Sequence, residues 1–139
     1  FNNKIHQLTW KSGKGFIYDL DTFNEKGSFN YTKSREGWGF TNDGKNLIKS
    51  EGTERIWFLN PETLEEERFI EAYTNKQKVE ELNELEFING KIYANKWQKN
   101  SIIIIDPLSG KIEGVADLNG LKEEFGLNRY FLDLRKCII

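Results

Sequence analysis

Two sets of anchor residues recur along the chain at identical offsets, and this repeat constrains the fold more than any other feature. Lys4, Lys45 and Lys91 are separated by steps of 41 and 46 residues, and Asp19, Asn60 and Asp106 by the same two steps. The strings around the anchors agree as well. Asn3-Lys4-Ile5-His6 leads to Gly15-Phe16-Ile17-Tyr18-Asp19-Leu20-Asp21-Thr22. Gly44-Lys45-Asn46-Leu47-Ile48 leads to Arg55-Ile56-Trp57-Phe58-Leu59-Asn60-Pro61-Glu62-Thr63. Gly90-Lys91-Ile92-Tyr93-Ala94 leads to Ser101-Ile102-Ile103-Ile104-Ile105-Asp106-Pro107-Leu108-Ser109. A repeat with a period in the forties points to stacked supersecondary units, each too small to bury its own apolar face.

Each copy reads as several short strands. A Gly-Lys or Asn-Lys turn opens one strand, and a β-branched or aromatic run forms the next. An Asp/Asn-Pro-x-Thr/Ser turn follows, because proline presets φ and the Asp or Asn side chain can accept hydrogen bonds from the turn backbone. A further strand, such as Lys111 to Ala116, then returns. Four strands in 41 to 46 residues is the unit of a β-propeller blade. The fold class is therefore expected to be all-β, a propeller covering about three blades, with repeats at roughly 1–41, 42–88 and 89–124. A β-sandwich would not produce two anchors in one register. A helix is expected only near Leu121 to Phe125, and residues 125–139 carry no blade pattern, reading as a divergent or truncated tail. Propellers close with about four to eight blades. Three blades imply part of a larger ring, or a subunit completed by self-association.

Composition narrows the function classes. Twenty Lys plus Arg against 22 Asp plus Glu give a net charge of −2, which supplies no basic footprint for nucleic acid. Cys137 is the one cysteine, so no intrachain disulfide is available. The longest aliphatic run, Ile102 to Ile105, has the length of a buried strand rather than a membrane span. Asp-rich calcium loops and Cys/His zinc spacings are absent from the sequence.

The segments beside the anchors are more distinctive than the anchors. Gln7-Leu8-Thr9-Trp10-Lys11-Ser12-Gly13, Glu36-Gly37-Trp38-Gly39-Phe40-Thr41 and Leu82-Asn83-Glu84-Leu85-Glu86-Phe87-Ile88-Asn89-Gly90-Lys91-Ile92-Tyr93-Ala94-Asn95-Lys96-Trp97-Gln98 resemble the plant and bacterial glutamine cyclotransferases. The resemblance implies a five-bladed propeller and an acyltransferase that converts N-terminal glutamine of peptides to pyroglutamate with release of ammonia. It also implies a metal-independent reaction with no cofactor, since a single carboxyl group can relay the proton from the amine to the leaving nitrogen. Peptides or proteins with N-terminal glutamine are the implied partners, and a periplasmic or secreted location is implied by the bacterial relatives. Residue by residue, Trp10, Trp38 and Trp97 fall on the family's pocket tryptophans and Asn83 on its carboxamide-binding asparagine. The family's catalytic glutamate falls eight positions before Lys4, upstream of Phe1, where it would be the repeat equivalent of Asn83. This chain alone is accordingly expected to be inactive or nearly so.

Other candidates have plainer readings. Trp57, inside Ile56-Trp57-Phe58-Leu59, is expected to pack between blades, and His6 to be a packing residue. Glu84 and Glu86 flank Leu85 and share a strand face; Glu86 reads as structural and Glu84 as an additional rim candidate. The Glu65-Glu66-Glu67 run reads as a solvated turn. The alternative to an enzyme is a propeller that keeps the aromatic rim and binds peptides without catalysing a reaction.

Overall fold

A computed structural model of the chain describes residues 1–124. Among them, three antiparallel sheets follow one another along the sequence. The first holds β1 (Lys4–Leu8), β2 (Lys14–Asp19) and β3 (Glu25–Asn30). The second holds β4 (Phe40–Asn42), β5 (Leu47–Ser50), β6 (Arg55–Leu59) and β7 (Glu66–Glu71). The third holds β8 (Leu82–Ile88), β9 (Lys91–Lys96), β10 (Ser101–Ile105) and β11 (Ile112–Asp117). Every strand pairs with its neighbour in the chain, so each sheet is a simple meander. One helical turn, α1 (Leu121–Glu124), follows where a helix is expected; Phe125 and the tail lie outside the described residues.

The repeat reappears as backbone geometry. At the turn after the second anchor, the side chain of Asp19 accepts from the Thr22 N–H, that of Asn60 from the Thr63 N–H, and that of Asp106 from the Ser109 N–H. Phe23, Leu64 and Gly110 then occupy the left-handed region in the three copies. Register shifts between Ile17 and Tyr18, Phe58 and Leu59, and Ile104 and Ile105 place a bulge at the same point of each sheet. Sheets and repeat copies are offset by one strand, because β8 falls in the second copy yet pairs in the third sheet. The first sheet has three strands rather than four. Strands β4 and β8 come from residues that precede the repeat lysine, and among the described residues β1 pairs with β2 alone.

The sheets stack face to face, and the alternation of β-strand side chains explains how. The middle sheet is buried on both faces. Leu47, Trp57 and Leu59 meet Phe29 of the first sheet, while Ile48, Ile56, Phe58 and Ile70 meet Leu82, Leu85, Ile92, Ile103 and Ile105 of the third. Trp57 packs between sheets, as expected, and its indole N–H donates to Glu51 Oε1 at 2.9 Å. His6 is half-buried, edge-on to Phe40, and burial holds its pKa below the usual value.

The acidic run departs from its expected role. Glu65 and Glu67 are exposed, but Glu66 is 1% exposed and is not part of a solvated turn. It opens β7, where alternation turns it inward toward the first sheet, on the same face as Lys49 of β5 with β6 between them. Lys49 Nζ lies 2.7 Å from Glu66 Oε1, and neither side chain meets solvent. The Lys33 and Ser34 backbone N–H groups donate to Glu66 Oε2 at 2.6 and 2.9 Å, and Ser34 Oγ bonds both members of the pair. Lys49 Nζ also sits 3.4 Å above the Tyr31 ring, and the Tyr31 hydroxyl donates to the Thr9 carbonyl at 2.8 Å. These bonds hold the Glu66 carboxyl at about 2, against a burial penalty that acts the other way. Burial pulls the Lys49 ammonium below the ordinary lysine value, with Glu66 opposing the shift.

Candidate functional site

Four residues singled out from the sequence meet at one cleft. Trp10, Gly37, Trp38, Asn83 and Trp97 line a cavity of about 240 Å³. Trp10 lies just beyond β1, Trp97 just beyond β9, Trp38 in the segment leading into β4, and Asn83 on β8. Each sheet thus contributes to the walls. Trp38 and Trp97 meet edge to face, with ring centroids 5.6 Å apart and planes at 75°. Trp10 is 58% exposed and Trp97 39%, so both present ring surface that a ligand can cover. Lys11 Nζ stands 4.1 Å above the Trp10 ring, within cation–π range.

Trp38 is fixed by the backbone on both sides. Its N–H donates to the Ser50 carbonyl at 3.0 Å, and the next N–H, of Gly39, donates to Ser50 Oγ at 2.8 Å. Gly39 runs against β8 so closely that a Cβ there would come within 2.9 Å of the Glu84 Cα. Gly52 lies under the Trp38 ring at φ +83°, and a Cβ on it would approach Trp38 Cε2 to 2.5 Å. Gly52→Ala is therefore expected to lower stability by about 1–3 kcal/mol through backbone strain and to displace the indole. A melting temperature and a near-UV spectrum equal to those of the parent protein would contradict this.

Asn83 reaches the cleft through a bulge. Leu82 pairs with Lys96 and Leu85 with Ala94, which leaves Asn83 and Glu84 together opposite Asn95. The extra residue allows Leu82 and Leu85, three apart, both to enter the core, at 0% and 2% exposure. A bulge of this kind re-aims a side chain; here Asn83 is turned into the cleft. Its carboxamide has no protein partner among the described residues, and neither has the Trp97 indole N–H. Glu84 sits beside Asn83 on β8 but does not line the cleft. It is half-buried, and burial raises its carboxyl pKa, with the charge of Glu86 adding to the shift.

Glu36 is the residue that sequence reasoning passed over. Its Oε2 accepts from the Trp10 indole N–H at 2.8 Å and from the Trp38 indole N–H at 2.7 Å. The signal available was its place in Glu36-Gly37-Trp38, but Trp10 is 26 residues away and arrives only through the fold. Among the described side chains that line the cleft, none is acidic. Three aromatic walls and one unengaged amide suit a small, partly polar ligand held in a fixed pose. No group of three or more His, Cys, Asp or Glu among the described residues is arranged to hold a metal ion. No helix among them is long and apolar enough to cross a membrane.

Comparison with known proteins gives the family and the fold. A family model described as glutamine cyclotransferase matches residues 1–130. A glutaminyl-peptide cyclotransferase of Arabidopsis thaliana is 36% identical over 112 residues, covering 80% of this chain and 34% of the relative. The crystal structure of Myxococcus xanthus glutaminyl cyclase superposes with a TM-score of 0.80 at 31% identity, covering 89% of this chain and 53% of that one. The WD40 β-propeller domain of Doa1 superposes with a TM-score of 0.59 at 13% identity, covering 84% of this chain and 37% of that one, a likeness of fold alone. The chain thus spans about a third of the plant relative's length and about half of the bacterial one's.

Proposed function

The chain belongs to the glutamine cyclotransferase family, and from that premise we propose that the protein containing it converts N-terminal glutamine of peptides to pyroglutamate. The observation that carries the reading is the convergence of Trp10, Trp38, Trp97 and an unengaged Asn83 carboxamide on one cleft. In the reaction the substrate's α-nitrogen forms a bond to its own side-chain carbonyl carbon. The bond from that carbon to the amide nitrogen breaks, a proton passes from the amine to the departing nitrogen, and ammonia leaves. The indole walls exclude water and hold the glutamine folded toward its own amine, which converts a floppy ring closure into a positioned one. The Asn83 amide hydrogen-bonds the substrate carboxamide and steadies charge building on its oxygen.

The proton relay needs a carboxyl group, and in this reading the family resemblance assigns it to a glutamate that would stand eight positions before Lys4. A strand carrying it would pair along the open side of β1, as β8 pairs with β9, and would bring the acid to the position matching Asn83. Substrates are accordingly peptides or proteins with N-terminal glutamine, and the family resemblance extends the reading to an exported protein.

The test is incubation of the full-length protein with a Gln-initiated peptide. Ammonia release with loss of one NH3 from the peptide mass is the expected result. Binding without mass loss would instead establish a non-catalytic peptide-binding propeller, and neither binding nor mass loss would sink both readings.

A further inference from the structure

Both indole N–H groups of Trp10 and Trp38 are taken up by one carboxylate oxygen, Glu36 Oε2. Those two rings therefore have no donor left for a ligand and can offer only their faces. Trp10 lies between β1 and β2 of the first sheet and Trp38 leads into the second, so the carboxylate also ties two sheets together at the cleft. The neighbouring backbone completes the clamp, since the Gly37 N–H donates to the Trp10 carbonyl at 3.0 Å. There is no space for a larger residue at position 37, where a Cβ would collide with the Tyr31 hydroxyl and come within 2.9 Å of Leu8 Cβ. Charge-assisted bonds of this length are roughly twice as strong as neutral ones. They act on Trp10, which is 58% exposed and has little packing to fix its rotamer.

We propose that Glu36 is a positioning residue that sets the Trp10 and Trp38 ring faces as walls for the substrate glutamine, leaving polar recognition to Asn83 and the Trp97 indole N–H. The proposal rests on the cyclotransferase reading for its kinetic consequence, though not for its structural one. Glu36 acts through the tryptophans and has no part in the proton transfer.

Two substitutions in the full-length protein separate geometry from charge. In Glu36→Gln the amide oxygen can still accept from both indoles, while the amide nitrogen replaces Oε1. In Glu36→Ala the acceptor is gone. Misplacing a positioning group by about 1 Å can cost about 100-fold in rate. Glu36→Ala should therefore lower kcat/KM for a Gln-initiated peptide by about 10- to 100-fold and weaken the near-UV circular dichroism of the tryptophans. Glu36→Gln should stay within about threefold of the parent by both measures, with an unchanged pH–rate profile. Parent-like kinetics and spectrum for Glu36→Ala would overturn the proposal. Equal losses in the two variants would also overturn it, by assigning the effect to the negative charge. If the parent protein releases no ammonia, the cyclotransferase reading fails. The spectra alone then decide whether Glu36 fixes the indoles.

Discussion

Replacing Asn83 with alanine in the full-length protein is expected to reduce kcat for pyroglutamate formation by about 10²- to 10³-fold, the usual cost of deleting one donor to a developing oxyanion. The side chain is not part of the core: Leu82 and Leu85 on either side carry the packing, at 0% and 2% exposure. Truncation should therefore leave the melting temperature within a few degrees of the parent. Asn83→Asp is the informative companion, because it keeps shape and one oxygen but removes the amide donor and adds repulsion toward an oxyanion. Both variants should lose turnover more than affinity, since the interaction grows as charge develops. Loss of β-sheet signal in Asn83→Ala would mean that the bulge at Asn83 and Glu84 depends on the asparagine, and that its role is structural.

The second large effect concerns the buried pair between the first and second sheets. Lys49→Met leaves the Glu66 carboxylate enclosed without its cation, a change that typically costs about 3–5 kcal/mol. The companion Lys49→Met/Glu66→Leu removes both charges and should recover much of the loss, because a filled apolar site can equal a buried ion pair. The same pair governs acid stability. Glu66 titrates at about 2 in the folded protein against an ordinary value of 4.5. A folded value below the ordinary one means the stabilisation is fully present above about pH 4.5 and is lost as pH falls through about 2. At roughly 1.4 kcal/mol per unit, this amounts to about 3 kcal/mol. Urea titrations between pH 6 and pH 2.5 should show that decline in the parent and a smaller one in the double variant. Identical pH slopes in both would remove Glu66 from the account.

The sequence foretold the repeat because turn chemistry is local. Asp19, Asn60 and Asp106 each cap their own turn, so the steps of 41 and 46 survive into the fold as hydrogen bonds, bulges and left-handed residues. The tryptophans were legible for a related reason: Trp10 and Trp97 occupy equivalent places beyond β1 and β9, so a shared rim follows once the copies stack. Glu66 was not legible. A run of three glutamates looks solvated until it is known that β7 begins at Glu66 and that Lys49 lies on the same buried face of that sheet, two strands away. Glu36 was hidden by distance, since one of its two partners belongs to another sheet. The bulge on β8 did leave a trace. Leu82 and Leu85 cannot both face a core in a strand of period two, and that spacing already demands an extra residue between them.

No one sheet owns the cleft, and this has a mechanical consequence. Trp10 belongs to the end of the first sheet, Trp38 to the approach of the second, and Asn83 and Trp97 to the third. Errors in the three sheets' relative tilt accumulate at their meeting point, as tolerances do in an assembled machine. Close-packed interfaces transmit small displacements rather than absorbing them. Resizing Leu59 or Ile103, inter-sheet residues that do not line the cleft, thereby becomes a way to detune it while every residue that touches the ligand stays the same.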